Sequence, residues 1–169
     1  FLKDAIKNYD MVMLQLEIPM EINELVTSYA YDAGVPVMLN SAPSAPLSPE
    51  LLKKLTYISP NEHEAADLTG ITIKGNNGAL DLAAVDKAAS KLLEMGVKNV
   101  IITLGSNGVA FKNSETFVYK PCVDIVEVAD PTAAGDSFVG AFCTAVASGK
   151  SHNDALDYAN YAATLTVSR

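Results

Sequence analysis

The residues best suited to chemistry are Asp130-Pro131-Thr132-Ala133-Ala134-Gly135-Asp136-Ser137-Phe138, which lead from an apolar strand end into a long apolar helix. Small side chains at 133 to 135 let a ligand come close to the backbone, and the start of a helix presents N–H groups that have no partner inside the helix. A phosphate group fits there without any lysine. Asp136 falls in the first helical turn beside that anion site, placed to accept a proton from an attacking hydroxyl. Asp130 and Asp136 also have a plainer reading as helix caps, because Asp is favoured at that position.

Three further segments carry candidate residues. Asn61-Glu62-His63-Glu64 opens a helix with the spacing of a capping box, Asn at the cap and Glu three residues on. Thr103-Leu104-Gly105-Ser106-Asn107-Gly108 follows the clearest strand, and its glycines let a nucleotide lie against the backbone at a strand's carboxyl end. Glu17 closes the run Met13-Leu14-Gln15-Leu16, at the edge where open α/β sheets bind ligands. His63 and His152 lack partners at metal spacing, and no Cys/His cluster or Ser-His-Asp set is visible.

These segments must be positioned by the elements around them, and short apolar runs alternating with amphipathic stretches predict βαβ units around a parallel sheet. Strands are expected at residues 11–16, covered on both faces, and at 35–39, 56–59 and 99–104. Pro36 favours the beginning of its strand or an edge position. Helices are expected over 20–33, closed by Gly34, over 49–55, and over 80–95, closed by Gly96. Residues 108–111 and 116–119 read as a hairpin, so antiparallel strands come late in the sheet. Two apolar helices, 133–148 and 153–168, complete the pattern. Residues 41–49 have a linker's composition but read as a surface loop, because hydrophobic alternation resumes at once.

Composition narrows the classes further. A chain of 169 residues with 49% hydrophobic and 19% charged residues forms a real core and is not disordered. Its net charge of -8 disfavours nucleic acid and acidic membrane surfaces as partners. No segment reaches the roughly eighteen unbroken apolar residues of a membrane helix. Cys122 and Cys143, far apart in apolar settings, are expected to be buried free thiols in a reducing compartment, which implies a cytoplasmic protein. The start, Phe1-Leu2-Lys3-Asp4, reads as a chain entered midway.

The run Asp130 to Asp136 is similar to the signature of the ribokinase-like (pfkB) carbohydrate kinase family, usually Asp-Thr-x-Gly-Ala-Gly-Asp. Pro131 stands where the family usually has Thr, and Ala133 where it usually has Gly. Leu39-Asn40-Ser41-Ala42-Pro43 resembles the Leu-Asn-Pro-Ala-Pro loop of the family's ribose-phosphorylating branch. The order of all these motifs resembles that branch over almost the whole chain. The resemblance implies that Asp136 is the catalytic base and meets the substrate, and that the N–H groups of Ala133, Ala134, Gly135 and Asp136 form an anion hole. It implies that Asn61 and Glu64 organise Mg2+ and the ATP phosphates, and that Thr103, Gly105 and Gly108 line the nucleotide site. Asn160 would flank the adenine, with a polar residue on an exposed helix face as the alternative. Glu17 would contact the sugar, and Asp130 and Thr132 would help hold K+.

The fold implied is a three-layer α/β/α sandwich with a mostly parallel sheet. The chain would be the C-terminal part of the family's domain, without its N-terminal portion, its β-lid and its last glycine-containing segment, and inactive alone. The reaction implied is transfer of the ATP γ-phosphate to the primary hydroxyl of ribose. Another sugar or a nucleoside, or an inert nucleotide-binding fragment, are the alternatives. The parent is expected to be a homodimer whose partners are a small sugar and ATP, with no nucleic acid or membrane.

Overall fold

The computed structural model describes residues 1–73, 79–123 and 127–168. A short helix α1 (Leu2–Ala5) and a 3-10 turn (Ile6–Asn8) lead into β1 (Val12–Gln15) and α2 (Met20–Asp32). There follow β2 (Val37–Asn40), α3 (Pro49–Lys54), β3 (Tyr57–Ser59), α4 (Glu62–Thr69) and α5 (Leu82–Glu94). The chain continues through β4 (Asn99–Thr103), β5 (Val109–Lys112) and β6 (Phe117–Lys120) to α6 (Ala134–Ala147) and α7 (His152–Val167).

The six strands lie side by side in chain order; β1 to β4 are parallel, and β4, β5 and β6 are antiparallel neighbours. Strand alternation splits the core in two. Val37, Leu39, Ile58, Val100 and Ile102 pack with Ala30 of α2, Leu51 and Leu52 of α3, and Val85, Ala88, Ala89 and Leu92 of α5. Met38, Tyr57, Ile101 and Phe111 face the other way, onto Phe138, Val139 and Phe142 of α6 and Ala155, Leu156 and Ala159 of α7. Helices thus cover both faces of a mostly parallel sheet, the three-layer architecture the pattern predicts. Among the described residues no helix is long and apolar enough to cross a membrane.

The helices begin and end where their sequences say. Asp81 caps α5 by accepting from the amides of Ala83 and Ala84, and apolar positions 85, 88, 89 and 92 share one face. Pro36 falls just before β2, whose four residues are all buried. One strand departs from expectation. β1 is an edge strand of the sheet, and its Met13 is 49% exposed. The strand end expected before Asp130 falls partly on residues 124–126, outside the described residues, and 127–129 form no strand.

Candidate active site

Parallel strands place their carboxyl ends along one edge of the sheet. The in-register pairs Gln15–Asn40 and Asn40–Ser59 set three polar side chains in a row there, on the face that carries Met13, Met38 and Tyr57 one pleat earlier. Met38 and Tyr57 pack with Val139 and Phe142 of α6, and this apolar contact brings the first turn of α6 to the polar row. There Gln15 Nε2 donates to Asp136 Oδ1 at 2.8 Å, and Asn40 Nδ2 donates to the same oxygen at 3.3 Å.

The turn before α6 leaves backbone amides open. Ala133 sits at the helix cap in the left-handed region, φ +60°, and no side chain caps the helix. The Ala134 N–H donates to the Pro131 carbonyl at 3.3 Å, whereas the amides of Gly135 and Asp136 have no acceptor among the described residues. Asp130 does not cap α6 either. Its Oδ1 accepts the Thr132 N–H at 2.8 Å, and hydrogen bonding from Thr132, side chain first and backbone second, holds the Asp130 carboxyl below the ordinary carboxylate range. The helix-cap reading of both aspartates therefore fails, and the open first turn is what a bound anion requires.

Asp136 stands where two cavities meet. One, of about 410 Å³, is lined by Met13, Leu14, Gln15, Asn40, Asp136 and Val139. The other, of about 170 Å³, shares Asn40, Asp136 and Val139 and adds Ser59, Asn61, Glu64, Thr103 and the Ala133-Ala134-Gly135 turn. Among the described residues no Lys or Arg lines either cavity. The capping box at α4 is real: the Asn61 side chain accepts from the amides of His63 and Glu64, and Glu64 Oε2 accepts from the Asn61 N–H at 2.9 Å. Glu64 nevertheless faces the smaller cavity, buried, with Oε1 taking a hydrogen bond from Asn61 Nδ2. Ser59 Oγ lines that cavity, buried and with no partner among the described residues.

Six of the candidates line neither cavity, Asp130 and Thr132 of the exposed turn before α6 among them. Glu17 is exposed beyond β1 and lines neither cavity. Gly105 opens a 3-10 turn that Gly108 follows, both outside the two cavities, and Gly108 is demanded by packing, since a Cβ there would lie 2.1 Å from the Lys120 carbonyl oxygen. Asn160 is not on an exposed helix face: it is buried, and its Nδ2 donates to the Pro121 carbonyl at 2.7 Å. Cys122 is exposed and not buried as expected, while Cys143 is buried and its thiol is pushed up to about 12 by burial. His152, given no partner by sequence spacing, shares a 2.9 Å hydrogen bond with the Tyr57 hydroxyl and lies 4.8 Å from the Phe111 ring. Gln15, Asn40 and Ser59 were not assigned roles from sequence. Their one signal is a polar residue ending an apolar strand at the ligand-binding edge.

An α/β/α fold that sets open backbone amides beside a carboxylate at the carboxyl edge of its parallel strands has an arrangement suited to a phosphate ligand. The chain belongs to the pfkB family of carbohydrate kinases, whose family model matches residues 2–169. It is 40% identical over 171 residues to a ribokinase of Schizosaccharomyces pombe, an alignment covering 99% of this chain and 52% of that protein. Its structure superposes on that of Arabidopsis thaliana ribokinase complexed with ribose and ATP with a TM-score of 0.89 and 36% identity, covering 98% of this chain and 52% of that one. A deoxyribokinase of Salmonella typhi is 29% identical over 140 residues, 82% of this chain and 44% of that protein. The chain thus spans about half the length of the relatives it matches.

Proposed function

We infer that this chain forms the phosphate-binding and proton-accepting part of an ATP-dependent sugar kinase that phosphorylates ribose on its primary hydroxyl. The observation that carries the reading is Asp136, poised between two cavities and beside the open amides of the α6 turn. Similarity to ribokinases, one of them solved with ribose and ATP, supports the choice of substrates. In this reading the larger cavity receives the sugar's hydroxyl end and the smaller one the transferred phosphoryl group. Asp136 takes the hydroxyl proton, the freed oxygen attacks the γ-phosphorus, and the bond to the β-phosphate breaks to release ADP.

The residues present fit Mg2+ held through water. Glu64 is a single buried carboxylate with acceptor capacity remaining on Oε1, and Mg2+ keeps most of its waters when one or two carboxylates bind it. The cation would neutralise phosphate charge in a site that no Lys or Arg among the described residues lines. Asn61 fixes the Glu64 carboxylate through two hydrogen bonds. K+ fits less well: Asp130 and Thr132 are two donors on an exposed turn, short of the oxygen cage that replaces a hydration shell, so no step is assigned to it.

The test is product analysis. The full-length protein containing this chain, incubated with ATP and Mg2+ and a panel of ribose, deoxyribose, fructose and nucleosides, should give ribose 5-phosphate fastest by phosphorus NMR. Faster phosphorylation of another acceptor would change the substrate, and phosphorylation of none would sink the assignment.

A further inference from the structure

Two amide groups converge on one oxygen of Asp136, and the fold explains why. Gln15 and Asn40 end adjacent parallel strands in register, so their side chains leave the sheet on the same face, toward the first turn of α6. Asn23, fully buried on α2, donates from Nδ2 to the Gln15 backbone carbonyl at 3.1 Å and fixes the strand end from which the Gln15 side chain reaches out. Asn40 is itself only 7% exposed. Both donors go to Oδ1, while Oδ2 receives no hydrogen bond from any described residue. A carboxylate held in this way cannot turn about its Cβ–Cγ bond without giving up both donors.

We propose that Gln15 and Asn40 are positioning residues for Asp136, locking its carboxylate so that Oδ2 is the oxygen that meets the acceptor hydroxyl. The proposal rests on the kinase reading above and deepens it. During transfer the hydroxyl proton passes to Oδ2, and neither amide gains or loses a proton. As that proton arrives, the carboxylate's charge falls, so the role of the two amides is to fix orientation before the transfer. Gln15 lines only the larger cavity, away from the Gly135 amide and Glu64, and so has no part in holding the nucleotide phosphates.

The test uses Gln15→Met in the full-length protein, which keeps the length of the side chain and removes its donor. With ribose and ATP, kcat is expected to fall roughly 10- to 100-fold, the scale on which misplacing a catalytic group by about an ångström slows a reaction, while KM for ATP stays unchanged and the unfolding midpoint stays near that of wild type. Gln15→Glu, which sets a second carboxylate against Asp136, is expected to lose at least as much kcat. A merely structural part would lower the unfolding midpoint and move both kinetic parameters together, and that result would overturn the proposal. A Gln15→Met kcat within about two-fold of an active wild type would also overturn it, while leaving the kinase reading intact. A folded wild type that phosphorylates no sugar would overturn both. Should Gln15→Met fail to fold, Asn40→Ser carries the same expectation through the second donor.

Discussion

Replacing Gly108 by alanine would drive a methyl group into the backbone that follows β6. A Cβ at this position lies 2.1 Å from the Lys120 carbonyl oxygen and 2.6 Å from both the Cys122 nitrogen and the Pro121 carbonyl carbon, none of which belongs to a flexible side chain. The residue also sits at φ +98°, ψ -135°, a conformation that only glycine adopts without strain. Backbone strain together with overpacking puts the loss at about 3–5 kcal/mol. That is a large part of the roughly 5–15 kcal/mol that holds a domain folded. For a chain of this size the midpoint of thermal unfolding should fall by about 10 °C or more. Gly105 supplies the control: φ is +55° and nothing lies within 4 Å of its added Cβ, so Gly105→Ala should cost only about 1–2 kcal/mol. Thermal unfolding of both variants, followed by circular dichroism, makes the comparison. A Gly108→Ala protein as stable as wild type would refute the packing argument.

Three other outcomes are expected. Burial holds the His152 imidazole below its ordinary value, so below about pH 6.5 the unfolded chain binds a proton that the folded one resists, and stability should fall as pH drops through that range. His152→Phe should flatten this acid-side loss of melting temperature relative to wild type; parallel curves would count against it. A thiol reagent at mildly alkaline pH should label the native protein at Cys122 and spare Cys143 until unfolding, which peptide mapping reads directly. Glu64→Gln keeps an acceptor for the Asn61 N–H but turns an NH2 toward Asn61 Nδ2, so it should lose about 1–3 kcal/mol of stability while raising the Mg2+ concentration needed for half-maximal ATP binding. An unchanged Mg2+ requirement would remove Glu64 from the metal's surroundings.

Most strands and the longer helices were readable from hydrophobic period because burial enforces that period: positions 85, 88, 89 and 92 announce α5, and the apolar run over 35–39 announces β2. Some caps were readable too, since Asn61 and the glycines after α2 and α5 act locally. What sequence could not supply was pairing between distant segments. Gln15 and Asp136 are far apart in the chain and meet only because α6 packs on Met38 and Tyr57. Asn160 could read as a residue on an exposed helix face because its partner, the Pro121 carbonyl, is a backbone atom that carries no sequence signal. Met13 sits in a run as apolar as β2, yet it ends on an outer strand, because sheet order is a property of the whole chain. The helix α1 has four residues, too few for a period to show.

The central claim is that a proton leaves the acceptor alcohol for the Asp136 carboxylate while the neighbouring amides hold phosphate. Asp136→Asn in the full-length protein isolates it, because the amide keeps the shape and loses the base. Turnover with ribose should drop by roughly 100- to 10,000-fold while calorimetric ATP affinity in Mg2+ stays near wild type. Retained turnover in that variant, or loss of ATP binding with no separate effect on the rate, would contradict the account.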